Sequence, residues 1–157
     1  MQKKGNGRII MISSIAAIIP VPFLGSYCAT KASITKLTEC LNLEQKLLKT
    51  NIDIVLVEPG LYHTGFNQFM LSNYDINNIF KNELELIEKE NKLISFLEYR
   101  NYDTIVNKIY KAITTDKPNF LYRAPFMQFV GRKIYQLFLA SLWRNTTFYK
   151  KILKSNF

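Results

Sequence analysis

The 157-residue sequence predicts an α/β fold built on a parallel sheet, and three features carry that prediction. A short apolar run, Ile9 to Ile12, has the length and β-branched content of a strand. A segment of helical period follows from Tyr27 to about Leu48. A second apolar run, Ile52 to Val57, is stopped by Pro59-Gly60. Strand, helix, strand in this order is a βαβ unit, which implies parallel strands joined by a right-handed crossover.

Each element has its own signal. Gly5-Asn6-Gly7 marks a turn, and the run from Arg8 to Ile12 is expected to be a strand buried on both faces. Ser13-Ser14 closes it. A loop with Pro20 and Pro22 leads to Ser26, placed to cap a helix in which Ala29, Ala32, Leu37, Leu41 and Leu48 recur near helical spacing. A further helix is expected around residues 79–97, with Phe80, Leu84, Ile87, Ile94 and Leu97 on one face and Glu88-Lys89-Glu90-Asn91-Lys92 on its solvated side. Asp103 to about Thr114 reads as another helix and Phe120-Leu121-Tyr122 as a short third strand. From Phe126 onward the spacing is helical again, with Phe126, Phe129, Val130, Ile134, Phe138 and Leu142 facing inward. With no internal repeat or low-complexity linker, residues 1–157 are expected to form a single partial domain of three stretches, 1–66, 67–116 and 117–157.

Composition narrows the class. At 48% hydrophobic and 21% charged residues, the chain is neither disordered nor collagen-like. Cys28 and Cys40 are too few to staple a small secreted fold and are expected as free thiols. Met1-Gln2-Lys3-Lys4 leads into Gly-Asn-Gly-Arg rather than the apolar core of a signal peptide. Ile15 to Leu24, the longest apolar stretch, is broken by two prolines and too short to span a bilayer. A cytoplasmic chain is expected, peripheral to a membrane at most.

The charge is uneven. Of the net +9, residues 1–116 contribute +1, whereas residues 117–157 carry eight basic residues and no acid, interleaved with ten of the 21 aromatics, Trp143 among them. Nucleic-acid binding is the weakest reading of this tail, because its apolar residues keep helical spacing. The preferred reading is a C-terminal helix over a substrate pocket, with an amphipathic pair lying on an anionic membrane as the alternative.

Ligands of open parallel α/β sheets bind outside the carboxyl ends of the strands. Ser14 ends the first strand and Pro59-Gly60 the second, and Tyr27 and Lys31 lie in the first turns of the helix between them. Four residues apart, Tyr27 and Lys31 project from one helix face. A neighbouring ammonium favours the phenolate and lowers a phenol's pKa toward the range useful for general acid–base work. By itself Tyr-x-x-x-Lys is weak evidence, since about one such pair is expected by chance in a chain with nine tyrosines.

Three segments agree with it. Gly7-Arg8-Ile9-Ile10-Met11-Ile12-Ser13-Ser14, Tyr27-Cys28-Ala29-Thr30-Lys31-Ala32-Ser33 and Val57-Glu58-Pro59-Gly60-Leu61-Tyr62-His63-Thr64 resemble, in order and spacing, the short-chain dehydrogenase/reductase family. The convincing match covers about residues 1–66. The resemblance implies NAD(P)-dependent hydride transfer between a nicotinamide and an alcohol/ketone pair. It puts the family's catalytic serine on Ser14, thirteen residues before Tyr27, and its lysine on Lys31; Ser13 competes with Ser14, but the spacing favours Ser14. Tyr27 would be the proton donor or acceptor, and Lys31 would also bind the nicotinamide ribose. Pro59, Gly60, backbone groups near Tyr62, and Thr64 would hold the nicotinamide end. His63, the only histidine, falls at a variable position of the motif and is expected to face solvent.

The resemblance also implies what is missing. The six glycines form no Gly-x-x-x-Gly-x-Gly or Gly-x-Gly-x-x-Gly turn, so the expected fold is the C-terminal part of a doubly wound Rossmann-like sheet, about three strands with flanking helices, without the N-terminal dinucleotide-binding βαβ. The first strand should then expose an unpaired edge. A truncated chain with little activity of its own is expected, taking NAD or NADP (NADP slightly favoured) and a small alcohol or ketone, hydrophobic or lipid-like, as substrate. It would form a homo-oligomer or pair with the missing N-terminal half. No metal site is expected. The alternative is a non-catalytic interaction or membrane-surface module that keeps the motif as a relic.

Overall fold

The computed structural model describes residues 1–67, 69 and 84–134. Expectations for 79–83, for the side chain of Ile134 and for the tail beyond it, including Phe138, Leu142 and Trp143, lie outside the described residues. Met1–Gly60 and Asn101–Phe129 form one compact unit, and Leu61–Arg100 belongs to a second.

The first unit is built on three parallel strands, β1 (Asn6–Ile12), β2 (Asn51–Pro59) and β3 (Leu121–Ala124), in the spatial order β1-β2-β3. Helix α1 (Gly25–Leu47) crosses from β1 to β2, α3 (Asp103–Thr114) precedes β3, and α4 (Phe126–Ile134) follows it. Register pairs Ile9 with Ile54, Ile12 with Val57, and Glu58 with Arg123. The central strand supplies the core: Ile54, Val55, Leu56 and Val57 are all buried, as an unmixed apolar run flanked by two strands requires. At the amino end of the sheet Arg8 reaches its register partner Asp53 at 2.9 Å and donates to the Ala112 and Ile113 carbonyls of α3. One guanidinium thus fastens a helix C-terminus to the strands.

Several expectations are corrected. Strand β1 is half-buried rather than covered on both faces, and Ile12 is 48% exposed, because β1 is an outer strand. Helix α1 begins at Gly25 with Leu24 at its cap and no side-chain capping bond, since the bond from Cys28 N–H to the Leu24 carbonyl closes the first turn ahead of Ser26. Its buried residues are Thr35 and Thr38, whereas Ala29, Leu37 and Leu48 are exposed. Positions 31, 35 and 38 recur at helical spacing toward the sheet, so Leu37 falls on the far side. The helix stops in a Schellman turn: Lys49 adopts φ +51°, and the Thr50 N–H bonds the Gln45 carbonyl at 3.1 Å.

In the second unit, helix α2 (Leu84–Leu97) buries Ile87, Glu90 and Ile94. These follow one another at i, i+3 and i+7, which brings Glu90 off the expected solvated side and leaves Leu84 and Leu97 exposed. In α4, Phe129 is buried as expected, but Phe126 at the first position is 76% exposed. Both cysteines are free, on α1. Among the described residues no helix is long and apolar enough to cross a membrane, and no group of His, Cys, Asp and Glu could hold a metal ion.

Candidate functional site

Strands β1 and β2 end side by side, because the Ser13 N–H extends their ladder to the Val57 carbonyl at 2.8 Å. The two serines then part in role. Ser13 Oγ donates to the Lys31 carbonyl at 2.8 Å and shares a 2.7 Å hydrogen bond with Thr35 Oγ1. Both partners lie on α1, so Ser13 ties the strand end to the helix. Ser14, in extended backbone, caps a short 3-10 turn (Ile15–Ala17) by accepting the Ala16 N–H at 3.1 Å. That bond uses an oxygen lone pair and leaves the hydroxyl proton to be donated.

Tyr27 and Lys31 stand one turn apart on α1, with the Lys31 Nζ 5.7 Å from the Tyr27 ring centroid. The ammonium donates to the Ile12 carbonyl at 3.2 Å, the last residue of β1. Strand end and helix start are therefore laced by Ser13 and Lys31 together. The structure brings Tyr27 and Lys31 to the strand end that Ser14 closes.

At the end of β2, the Gly60 N–H bonds the Ala124 carbonyl of β3 at 2.8 Å. A Cβ on Gly60 would stand 2.0 Å from Gln128 Oε1 and 2.9 Å from Pro125 Cδ, so α4 and the residue before it leave room only for glycine. One residue before Pro59, Glu58 is fully buried, and Arg123 Nε lies 2.6 Å from its Oε2. The same guanidinium stacks over the Phe129 ring at 5.5 Å. This pair fixes the β2–β3 register at the start of the loop.

The continuation of that loop lies in the second unit. Tyr62 is buried, pairs with Tyr99 in an isolated parallel bridge, and meets the Tyr99 ring edge to face at 6.1 Å. Thr64 is exposed; its N–H bonds the Tyr62 carbonyl at 2.9 Å, and its Oγ1 accepts the Phe66 N–H at 3.4 Å. His63 is exposed, as expected, and its ring also has a partner: Nδ1 lies 2.6 Å from Glu98 Oε2. Glu98 also accepts from Asn67 Nδ2 at 2.8 Å.

Sequence reasoning missed Ser13 as a tie, the Ile12 carbonyl, Glu58 with Arg123, Gln128 and Glu98. Only Glu58 had a readable signal, as an acid inside an apolar strand run.

Parts of the chain are similar to known proteins. Residues 1–75 match the family described as short chain dehydrogenase. The chain is 35% identical over 98 residues to a 3-ketodihydrosphingosine reductase of Bacteroides thetaiotaomicron, covering 59% of this chain and 36% of that one. It is 40% identical over 70 residues to dehydrogenase/reductase SDR family member 4 of Bos taurus, covering 45% and 24%. The chain thus spans about a third or less of the length of these relatives. Among solved structures, a short chain dehydrogenase/reductase from Burkholderia phymatum in complex with NAD superposes with a TM-score of 0.64 at 16% identity, over 87% of this chain and 49% of that one. That likeness concerns the fold.

Proposed function

We propose that the chain, whose residues 1–75 match the short chain dehydrogenase family, carries the catalytic segment of an NAD- or NADP-dependent enzyme of that family interconverting an alcohol and a ketone. The observation that supports this most is the lacing of β1 to α1, which sets the Lys31 ammonium beside the Tyr27 ring at the strand end closed by Ser14.

In this reading the Ser14 hydroxyl donates to the substrate oxygen and stabilises charge developing on it. Tyr27 gives that oxygen a proton during reduction and removes one during oxidation. Lys31, beside the Tyr27 ring, offers its remaining donors to ribose hydroxyls. Pro59, Gly60, the backbone near Tyr62 and the Thr64 hydroxyl are the groups for the nicotinamide end. A bound nicotinamide supplies or accepts the hydride. The donors present suit a ribose and a carboxamide. No glycine-rich turn in this sequence suits a pyrophosphate.

We therefore propose that these residues alone bind a dinucleotide weakly and turn over little, and that a dinucleotide-binding βαβ from outside them completes the site. The substrate is a hydrophobic, lipid-like ketone or alcohol. Support comes from the basic, aromatic segment 117–157 and from the relative named for reducing a sphingoid ketone. A cytoplasmic location with 117–157 against a membrane surface fits the same chemistry.

The test is NADH and NADPH titration followed by nicotinamide fluorescence and turnover, with and without a complementary N-terminal half. Weak binding alone, turnover on complementation, and loss of turnover with retained binding in Tyr27→Phe are expected. Tight binding by the chain alone would overturn the incompleteness; undiminished turnover in Tyr27→Phe would overturn the catalytic assignment. A non-catalytic module that keeps the motif as a relic has in its favour a β1 that, among the described residues, pairs with β2 alone, and turnover that depends on Tyr27 sinks it.

A further inference from the structure

Segment 61–67 is held by an acid that no motif contains. The Glu98 side chain is 1% exposed, and its two oxygens are divided: Oε2 meets His63 Nδ1 at 2.6 Å and Oε1 accepts from Asn67 Nδ2 at 2.8 Å. His63 and Asn67 flank Thr64, one on each side. The backbone agrees, because the Tyr99 N–H bonds the Leu61 carbonyl at 2.9 Å and the His63 N–H bonds the Tyr99 carbonyl at 3.2 Å. A buried carboxylate is costly to leave unsatisfied. Each of its bonds is charge-assisted and stronger than a neutral one. The segment is thus fastened before and after Thr64 by a side chain from beyond the last residue of α2.

We infer that Glu98 is a positioning residue: through His63 and Asn67 it sets the conformation of residues 61–67 and so presents the Thr64 hydroxyl. This deepens the proposed function and rests on it for what Thr64 is presented to. The ordering of the segment is a property of this chain alone and is tested without turnover.

His63 is the only histidine, so its ring gives a single set of resonances. With the carboxylate as acceptor, the neutral ring should carry its proton on Nδ1. In the purified full chain, ring nitrogen shifts should report that tautomer, and amides 61–67 should exchange slowly. Glu98→Gln keeps the shape and removes the charge; it should mix the tautomers and speed exchange of amides 61–67 about tenfold, with Ile54–Val57 amides unchanged as proof of an intact sheet. His63→Ala should speed the same amides, covering the case in which a Glu98 variant fails to fold. Wild-type-like exchange and tautomer in Glu98→Gln, or rapid exchange of the segment in the wild type, would overturn the inference. Nicotinamide mononucleotide added to the wild-type chain tests the underlying reading separately. A shift at the Thr64 amide supports it, and no shift removes Thr64 from cofactor binding whatever the exchange data give.

Discussion

Arg123 Nε lies 2.6 Å from Glu58 Oε2, and the two residues are register partners across β2 and β3. The carboxylate is fully buried while the guanidinium is partly exposed against Phe129. Breaking such a pair from one side strands a charge in a poorly solvating place. Arg123→Met should therefore lower unfolding free energy in urea by about 3–5 kcal/mol, whereas Glu58→Leu combined with Arg123→Met should come back close to the parent. Equal losses in the single and the double variant would refute the pairing.

Ser13, Lys31 and Thr35 predict a coupling rather than a single loss. Ser13→Ala and Thr35→Val each remove the same buried hydroxyl contact, so their stabilities should not add. A double-mutant cycle by chemical denaturation should give a coupling of about 1 kcal/mol. Additive losses would mean that the two hydroxyls do not share a bond.

At the end of α1, Lys49 holds a left-handed backbone that costs an ordinary residue about 1–2 kcal/mol. Lys49→Gly keeps the Schellman bonds and removes that cost, less the greater freedom of glycine in the unfolded chain. The thermal midpoint should rise by a few degrees, read by circular dichroism. A fall would show that the Lys49 side chain contributes more than its backbone costs.

Glu85 on α2 is held below its ordinary value of 4.5, first by the hydrogen bond from Lys89 at 2.6 Å and then by that ammonium's charge. A carboxyl lowered in the folded state contributes stability above its unfolded value, and that contribution is lost as pH falls through the lowered folded value. Carboxyl carbon NMR should therefore show Glu85 titrating below 4.5 and moving up toward it in Lys89→Met. Overall stability should hardly change, because both groups are on the surface.

What could be read from the sequence follows from how each residue acts. Strand β2 is legible because burial on both faces leaves an unmixed apolar run. The place of Lys31 is legible because one crossover returns the start of α1 to the end of β1, where its ammonium meets the Ile12 carbonyl at 3.2 Å. The inner face of α1 is illegible: Thr35 bonds Ser13, and Thr38 bonds the Ile34 carbonyl at 2.7 Å, so polar residues take places that periodicity assigns to leucines. Glu98 is illegible for another reason. It meets His63 across 35 residues through a backbone bridge that no repeat or period encodes. Arg123 becomes meaningful only once register sets it beside Glu58.

The order β1-β2-β3 repeats the order of the chain. As synthesis proceeds, each new strand can dock on the side of the one made just before it, with no rearrangement of what already stands. The sheet therefore grows in one direction, away from β1. Among these three strands, growth leaves the outer side of β1 to be met by something other than β2 or β3.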